Sequence, residues 1–151
     1  MLIIHVVVTA ALVGLIWTIQ IVHYPLFAKV GTGQWAEYHR SHTSRITFVV
    51  VPLMFAELGL ALYLAVFPPV VSAEDTMTAR LMWWALGMTV VVWISTFGIQ
   101  VPLHGRLARG FDERSVSLLV GTNWVRTAGW TIKLVVLCVA VLRVNTHTLA
   151  Q

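Results

Sequence analysis

The chain has 151 residues, of which 58% are apolar and only 11% are charged, and its mean hydropathy is +0.83. These values exclude an ordinary soluble domain, in which about 25% of the residues are charged. The formal net charge of +4 comes from basic residues that flank apolar stretches, so it gives no support to nucleic-acid binding. The single cysteine, Cys138, excludes an intramolecular disulfide and a CxxC redox pair.

Four apolar stretches follow one another, each close to the ~20 residues that a helix needs to cross the hydrocarbon core of a bilayer. They cover residues 2–24, 46–67, 81–103 and 127–144. We predict an all-α integral membrane four-helix bundle, in contact with the lipid bilayer, that occupies residues 1–151 as a single domain. The first stretch lacks a basic leader and a small-residue cleavage site, so it is expected to stay in the mature protein.

The basic residues are distributed unevenly between the two ends of the predicted bundle. Arg80 and Arg143 flank one end. The connections that follow the first and third stretches carry the other flanking residues: Lys29, Arg40, Arg45, Arg106, Arg109, Arg114 and Arg126. The positive-inside rule therefore predicts a multi-pass membrane protein with these connections in the cytoplasm and both termini outside.

Both long connections are expected to contain short interfacial helices on the cytoplasmic side of the bundle. Residues 34–44 form a helical lead-in to the second stretch after the Gly31-Thr32-Gly33 break. Asp112 is placed to cap a helix over residues 113–120.

A weak internal similarity suggests a duplicated helical hairpin. Gln20 precedes His42 by 22 residues, and Gln100 precedes Asn123 by 23 residues. In such a repeat, related by an axis along the membrane normal, the two glutamines would be equivalent.

Four histidines are expected at one level of the membrane. His23 and His104 close the first and third stretches, and His39 and His42 lie on one helical face just before the second. We predict that these four bind a metal ion, with iron or copper favoured over zinc, or that they supply axial ligands to a haem. The alternative is a set of ordinary interfacial histidines. His5 lies toward the other end and is expected to take no part in the site.

Five further polar residues lie at the same membrane edge, where a polar side chain needs a partner on another helix or on a ligand. We predict that they bind or orient the substrate: Gln20, Arg45, Gln100, Asn123 and Arg126. A pair of guanidinium groups is suited to an anionic group such as a carboxylate or phosphate. Ordinary cytoplasmic anchoring is the alternative for the two arginines.

Glu57 and Lys133 lie inside the second and fourth stretches, where an ionised side chain is costly and often functional. We predict a catalytic role for them, either in proton transfer or as the polar floor of a cavity, with a structural ion pair as the alternative. A continuous helix would place Glu57 on the order of 22 Å from His42, too far for both to bind one metal.

The motifs QIVHYPLF (residues 20–27), YHRSH (38–42) and NWVRT (123–127) resemble those of small four-span bacterial membrane proteins. The overall plan is similar to that of anthrone-oxygenase-like proteins and of membrane-type, haem-binding protoporphyrinogen oxidases. This similarity covers chain size, the number of spans and the histidines at the membrane edge. The resemblance implies a location in the bacterial inner membrane and redox or oxygenase chemistry, and it transfers no catalytic residue.

We therefore predict a metal- or haem-dependent oxidoreductase or oxygenase that acts on a small lipophilic substrate. The runner-up is a binding or transport module that recognises an anionic or amphipathic ligand without redox chemistry; it would require a homodimer, because four spans are few for a carrier. A third interpretation is an assembly subunit whose polar cluster serves interfacial packing.

Overall fold

The computed structural model describes residues 1–69 and 75–149, and the described part of the chain is almost entirely helical. The predicted all-α class is confirmed. Six α-helices are present: α1 (Leu2–Thr18), α2 (Tyr24–Phe27), α3 (Trp35–Val66), α4 (Thr76–Ser95), α5 (Val101–Leu107) and α6 (Glu113–Leu149). Two π turns, at Ile19–His23 and Thr96–Gln100, join α1 to α2 and α4 to α5.

The π turns do not interrupt the rods, so the six helices form four long ones. The rods Leu2–Phe27, Trp35–Val66, Thr76–Leu107 and Glu113–His147 are each long and apolar enough to cross a membrane. The predicted four-span, multi-pass organisation is therefore confirmed. Met1 and Asn145 line the same surface cavity, so the two ends of the described chain lie together. We call this the terminal end, and we call the opposite end, which carries His23, His39, His42 and His104, the histidine end.

The two predicted interfacial segments are helical but are not separate helices. α3 runs without a break from Trp35, and α6 from Glu113, through the membrane-spanning part of each rod. The prediction of distinct interfacial helices was wrong because no proline or paired glycine separates either lead-in from its span. The predicted cap is confirmed: Asp112 Oδ2 accepts the Ser115 amide at 3.0 Å and also the Ser115 hydroxyl, and these bonds hold the pKa of Asp112 below its usual value.

Each π turn lies just before a proline. The Tyr24 amide donates to the Ile19 carbonyl ahead of Pro25, and the Val101 amide donates to the Thr96 carbonyl ahead of Pro102. A proline inside a helix removes one N–H donor and crowds the carbonyl four residues back. The wider turn absorbs this conflict without a kink in the rod, and such turns are frequent at functional sites.

The element order repeats, as the predicted duplication requires. A long helix, a π turn, a short helix and a second long helix occur in that order twice. Ile19 and Thr96 begin the two π turns and Pro25 and Pro102 follow them, a spacing of 77 residues in both cases. The predicted equivalence of Gln20 with Gln100 is wrong in this frame, because their spacing of 80 residues is not that of the π turns.

The core consists of three buried apolar clusters that follow one another along the bundle. Representative members, from the histidine end to the terminal end, are Phe27, Trp35 and Leu107, then Met54, Val92 and Trp130, then Leu64, Met82 and Leu137. α4 and α6 approach closely in the middle cluster, where a Cβ added at Gly129 would lie 2.8 Å from Val92 Cγ2.

We expect Gly129→Ala to lower the stability of the bundle, because Val92 is a stiff, fully buried side chain that cannot move away from the new methyl group. Overpacking of this kind costs about 1–3 kcal/mol. Gly121→Ala is the matched control on the same helix, since a Cβ there meets nothing within 4 Å. Thermal unfolding in mild detergent, followed by circular dichroism, compares the two. A Tm for Gly129→Ala equal to or above that of the control would contradict this packing.

Candidate functional site

The structure brings the four predicted histidines together at one end of the bundle. His23 Nε2 lies 2.7 Å from His42 Nδ1, and His39 Nε2 lies 3.1 Å from His104 Nδ1. The two pairs are adjacent, because the ring centroids of His42 and His104 are 6.0 Å apart. Three of the four rods therefore contribute to one histidine cluster.

Aromatic residues hold this cluster in place. Trp35 stacks on His39, with a centroid separation of 5.4 Å, and its Nε1 donates to the Leu107 carbonyl at 2.8 Å. The fully buried Phe27 ring meets the His42 ring edge to face at 5.1 Å. The histidines on α3 therefore pack against Phe27 of the first rod and against Trp35, which is hydrogen-bonded to α5.

Tyr24 connects α2 to α5, because its hydroxyl lies 3.3 Å from His104 Nε2. The imidazole nitrogens are arranged as two hydrogen-bonded pairs, in each of which one ring can donate and the other accept. No group of three or more His, Cys, Asp or Glu side chains within residues 1–69 and 75–149 is arranged as it stands to hold a metal ion.

Three of the predicted substrate-binding residues form hydrogen bonds with one another. Asn123 Nδ2 donates to Gln20 Oε1 at 2.7 Å, and Arg126 donates to Asn123 Oδ1 at 3.3 Å. Gln20 Nε2 in turn donates to the Val120 carbonyl at 3.2 Å. This series of hydrogen bonds connects the first π turn to α6 and holds the Arg126 guanidinium in position.

Gln100 and Arg45, the other two, lie in different surroundings. Gln100 donates to Thr122 Oγ1 at 2.9 Å, while its Oε1 is buried without a hydrogen-bond partner. Arg45 is exposed and lines an open cavity of about 350 Å³ beside His23 and His42. Arg126 is buried and lines a neighbouring cavity that shares His42 and Ile46 with this one, so the expected guanidinium pair stays a prediction.

The cavity that Arg126 lines is a cleft of about 250 Å³ between α3 and residues 96–104, which comprise the second π turn and the start of α5. His42, Gln100, His104 and Arg126 form its polar end. The other lining residues are mostly apolar: Ile19, Ile46, Val50, Val51, Met54, Phe97 and Val101. We call this cavity the lateral cleft. Two of the four histidines therefore belong both to the cluster and to the wall of the cleft.

Glu57 and Lys133 form a fully buried ion pair, with Lys133 Nζ 2.6 Å from Glu57 Oε1. Lys133 also donates to Thr89 Oγ1 at 2.6 Å, and Trp130 Nε1 donates to Glu57 Oε1 at 3.0 Å. Because α3 is continuous, the carboxylate lies about 22 Å along the helix from His42. The contacts are those of the structural alternative, and the catalytic role of the pair stays a prediction.

Sequence reasoning missed two buried polar residues near the terminal end. His5 and Thr9 are fully buried, and neither the His5 ring nitrogens nor Thr9 Oγ1 has a hydrogen-bond partner within the protein. Their spacing from Leu12 and Ile16 places all four on one face of α1, and this pattern identifies the packed face.

Comparison of the chain with protein-family models, with curated proteins and with solved structures finds no match. The resemblance to oxidative membrane proteins therefore stays a prediction, and the functional argument depends on the geometry of the site.

For the ion pair, we expect Lys133→Met and Glu57→Leu to destabilise the protein by about 3–5 kcal/mol each, because each leaves one buried charge without its partner. The double variant removes both charges and should recover at least about 2 kcal/mol relative to the less stable single variant. Unfolding in mixed detergent micelles measures the three values. Glu37→Leu, at an exposed position of α3, is the control and should change stability by less than about 0.5 kcal/mol. Additive single effects would show that the two charges are not coupled.

Proposed function

We propose that the protein is a metal-dependent oxidoreductase of the membrane, with its metal held by the histidine cluster and a lipophilic substrate bound in the lateral cleft. One observation carries the proposal: His42 and His104 are members of the cluster and also line the cleft. A substrate in the cleft would therefore contact the same side chains that hold the metal.

The donor set fits a transition-metal ion. Imidazole nitrogens suit iron and copper as well as zinc, and no carboxylate is hydrogen-bonded to any of the four rings in the described residues. Two nitrogens that bind one metal side by side lie about 3 Å apart, since each bond is about 2 Å. The separations of 2.7 Å and 3.1 Å are close to this value. The four rings are not arranged to hold one ion as they stand, so binding of one ion would require the two pairs to turn toward each other.

A haem with two axial histidines does not fit either of the two hydrogen-bonded pairs as they stand. Axial ligands on opposite sides of a haem iron have nitrogens about 4 Å apart, with the porphyrin between them. The two close histidine pairs leave no such gap, and Phe27 and Trp35 pack against the rings. We therefore propose a metal ion alone.

Bound iron or copper would supply one-electron chemistry, with the substrate as reductant and dioxygen as oxidant. The residues around the cluster orient its ligands. Tyr24 holds the His104 ring through its hydroxyl, and Trp35 holds the His39 ring by stacking. Partners of this kind fix ring orientation and raise metal affinity. The hydrogen bonds that join Gln20, Asn123 and Arg126 hold the Arg126 guanidinium at the polar end of the cleft.

A second function, ligand binding or transport without redox chemistry, is favoured by one observation. Arg126 is buried at the polar end of the cleft, and no Asp or Glu in the described part of the chain forms an ion pair with it. In this case the protein would contain no metal and would be stabilised by an anionic ligand alone.

Elemental analysis and an absorption spectrum of the protein purified in mild detergent test the proposal. We expect near-stoichiometric iron or copper in the wild type. Because His42 contacts both the other pair and the cleft, His42→Ala should reduce metal content by more than about tenfold.

His147→Ala is the control, since His147 is exposed near the terminal end and should leave the metal content unchanged. Zinc as the only metal would contradict the redox assignment. Protein without metal after expression with iron and copper supplied would overturn the proposal and favour the binding function.

A further inference from the structure

Arg126 is a buried cation with which no Asp or Glu of the described residues forms an ion pair. Only 6% of its surface is exposed, and its position lies inside a membrane-spanning rod. Its contacts are neutral: the Asn123 amide oxygen, the Tyr24 hydroxyl and the face of Trp130, whose centroid lies 5.2 Å from the guanidinium carbon. By contrast, the buried Lys133 has the Glu57 carboxylate at 2.6 Å. An uncompensated buried charge is costly, so this position favours an anion supplied from outside the chain.

One hydrogen-bond donor at the polar end of the lateral cleft is available to such an anion. Arg126 Nε is buried and has no hydrogen-bond partner among the described residues. Arg126 lines the cleft. A guanidinium group presents its N–H donors in a planar fork that matches a carboxylate.

The rest of the cleft is suited to a hydrocarbon chain. Its inner wall is formed by the buried Met54 and Ile19 side chains. Its rim carries Val51, Phe97 and Val101, which are 38%, 54% and 50% exposed and belong to two neighbouring rods. In a bilayer, these exposed apolar side chains face lipid. The cleft therefore opens sideways into the hydrocarbon core, while its polar end is closed by Arg126.

We propose that the lateral cleft binds a long-chain carboxylate, with the carboxylate on the Arg126 guanidinium and the acyl chain leaving past Phe97 and Val101 into the membrane. This inference deepens the proposed function, because it names the chemical class of the substrate held beside His42 and His104. Binding itself requires no metal.

Charge decides between a carboxylate and a phosphate head group. A carboxylate carries one negative charge and matches the one uncompensated cation. A phosphate monoester carries about 1.5 to 2 negative charges and would leave part of its charge buried without a partner. The cleft volume of about 250 Å³ lies below the usual range of pockets that enclose a whole ligand. Such a volume suits a head group and the first carbons of a chain, with the remainder in lipid.

Photo-crosslinking in lipid nanodiscs tests the inference on metal-free protein prepared with a chelator. The probe is a fatty acid that carries a diazirine in its chain, and the comparison probe is the fatty alcohol with the same chain. We expect the acid to label peptides that contain Val51, Phe97 or Val101, and unlabelled oleate to compete. The alcohol should label them at least about tenfold less, since a hydrogen bond to a charged group contributes about 1.5–3 kcal/mol.

Arg126→Gln should reduce labelling by the acid at least about tenfold, and Arg126→Lys should reduce it less, since lysine keeps the charge but lacks the planar fork. Arg109→Gln, at an exposed arginine on the same side of the membrane, is the control that changes net charge equally and should label like the wild type. Thermal unfolding without fatty acid checks that Arg126→Gln folds. It should be at least as stable as the wild type, because an uncompensated buried charge is lost.

Equal labelling by acid and alcohol, or full labelling of Arg126→Gln, would overturn the inference. Competition by an alkyl phosphate but not by oleate would also overturn it, in favour of a phosphate head group. These outcomes are independent of the metal: a protein that binds iron or copper but no fatty acid refutes this inference alone, whereas one that binds the fatty acid but no metal refutes the redox function alone.

Discussion

A polar side chain inside an apolar rod has no water to bond, so it must find its partner on a neighbouring helix. This constraint decides how the four rods of this protein pack. Glu57, Lys133 and Thr89 come from three different rods and are hydrogen-bonded through Lys133 at the centre of the bundle, while Glu57 Oε2 has no hydrogen-bond partner among the described residues. Replacement of the whole group by apolar residues would lose little energy, but loss of one member would leave a buried charge alone. The network therefore specifies which helix faces meet, whatever its net contribution to stability.

The same constraint explains why the π turns lie where they do. Pro25 and Pro102 each remove a backbone donor near the histidine end, and the turn before each proline re-pairs the backbone with a wider hydrogen-bond ring. The wider turn also rotates the residues that follow it. Gln20 and Gln100 are buried within these two turns, against α6, and His23 and His104 lie at or just beyond their ends. The prolines thus contribute to the site through the backbone, and their own side chains are exposed.

The spans and the convergence of the histidines could be predicted, because length, hydropathy and antiparallel connectivity are enough to place residues at a membrane level. Finer features depend on rotation about each helix axis, which the π turns change. The expected match between Gln20 and Gln100 failed because their spacing along the chain differs by three residues from that of the π turns. Arg45 is exposed whereas Arg126 is buried, a difference that hydropathy does not predict. His5 was predicted to take no part in the site only because it lies toward the other end of the bundle. Its spacing from Ile16 shows that it faces the core. The Thr89 partner of Lys133 could not be identified, since threonines are common in membrane helices and pair locally with their own backbone.

The contrast between paired and unpaired polar atoms separates structure from function in this bundle. Lys133 and Arg126 lie on the same helix seven residues apart, and both are buried cations. Lys133 has a carboxylate and a hydroxyl within hydrogen-bonding distance, and nothing else is needed to explain it. Arg126 is held in position by Asn123 but is left without an anion, at the point where a lipid-facing cleft ends beside two histidines. A fold able to bury one compensated cation could have accommodated a second carboxylate here. The proposed anionic ligand rests on this arginine, which Asn123 holds in place and which no Asp or Glu of the described residues neutralises.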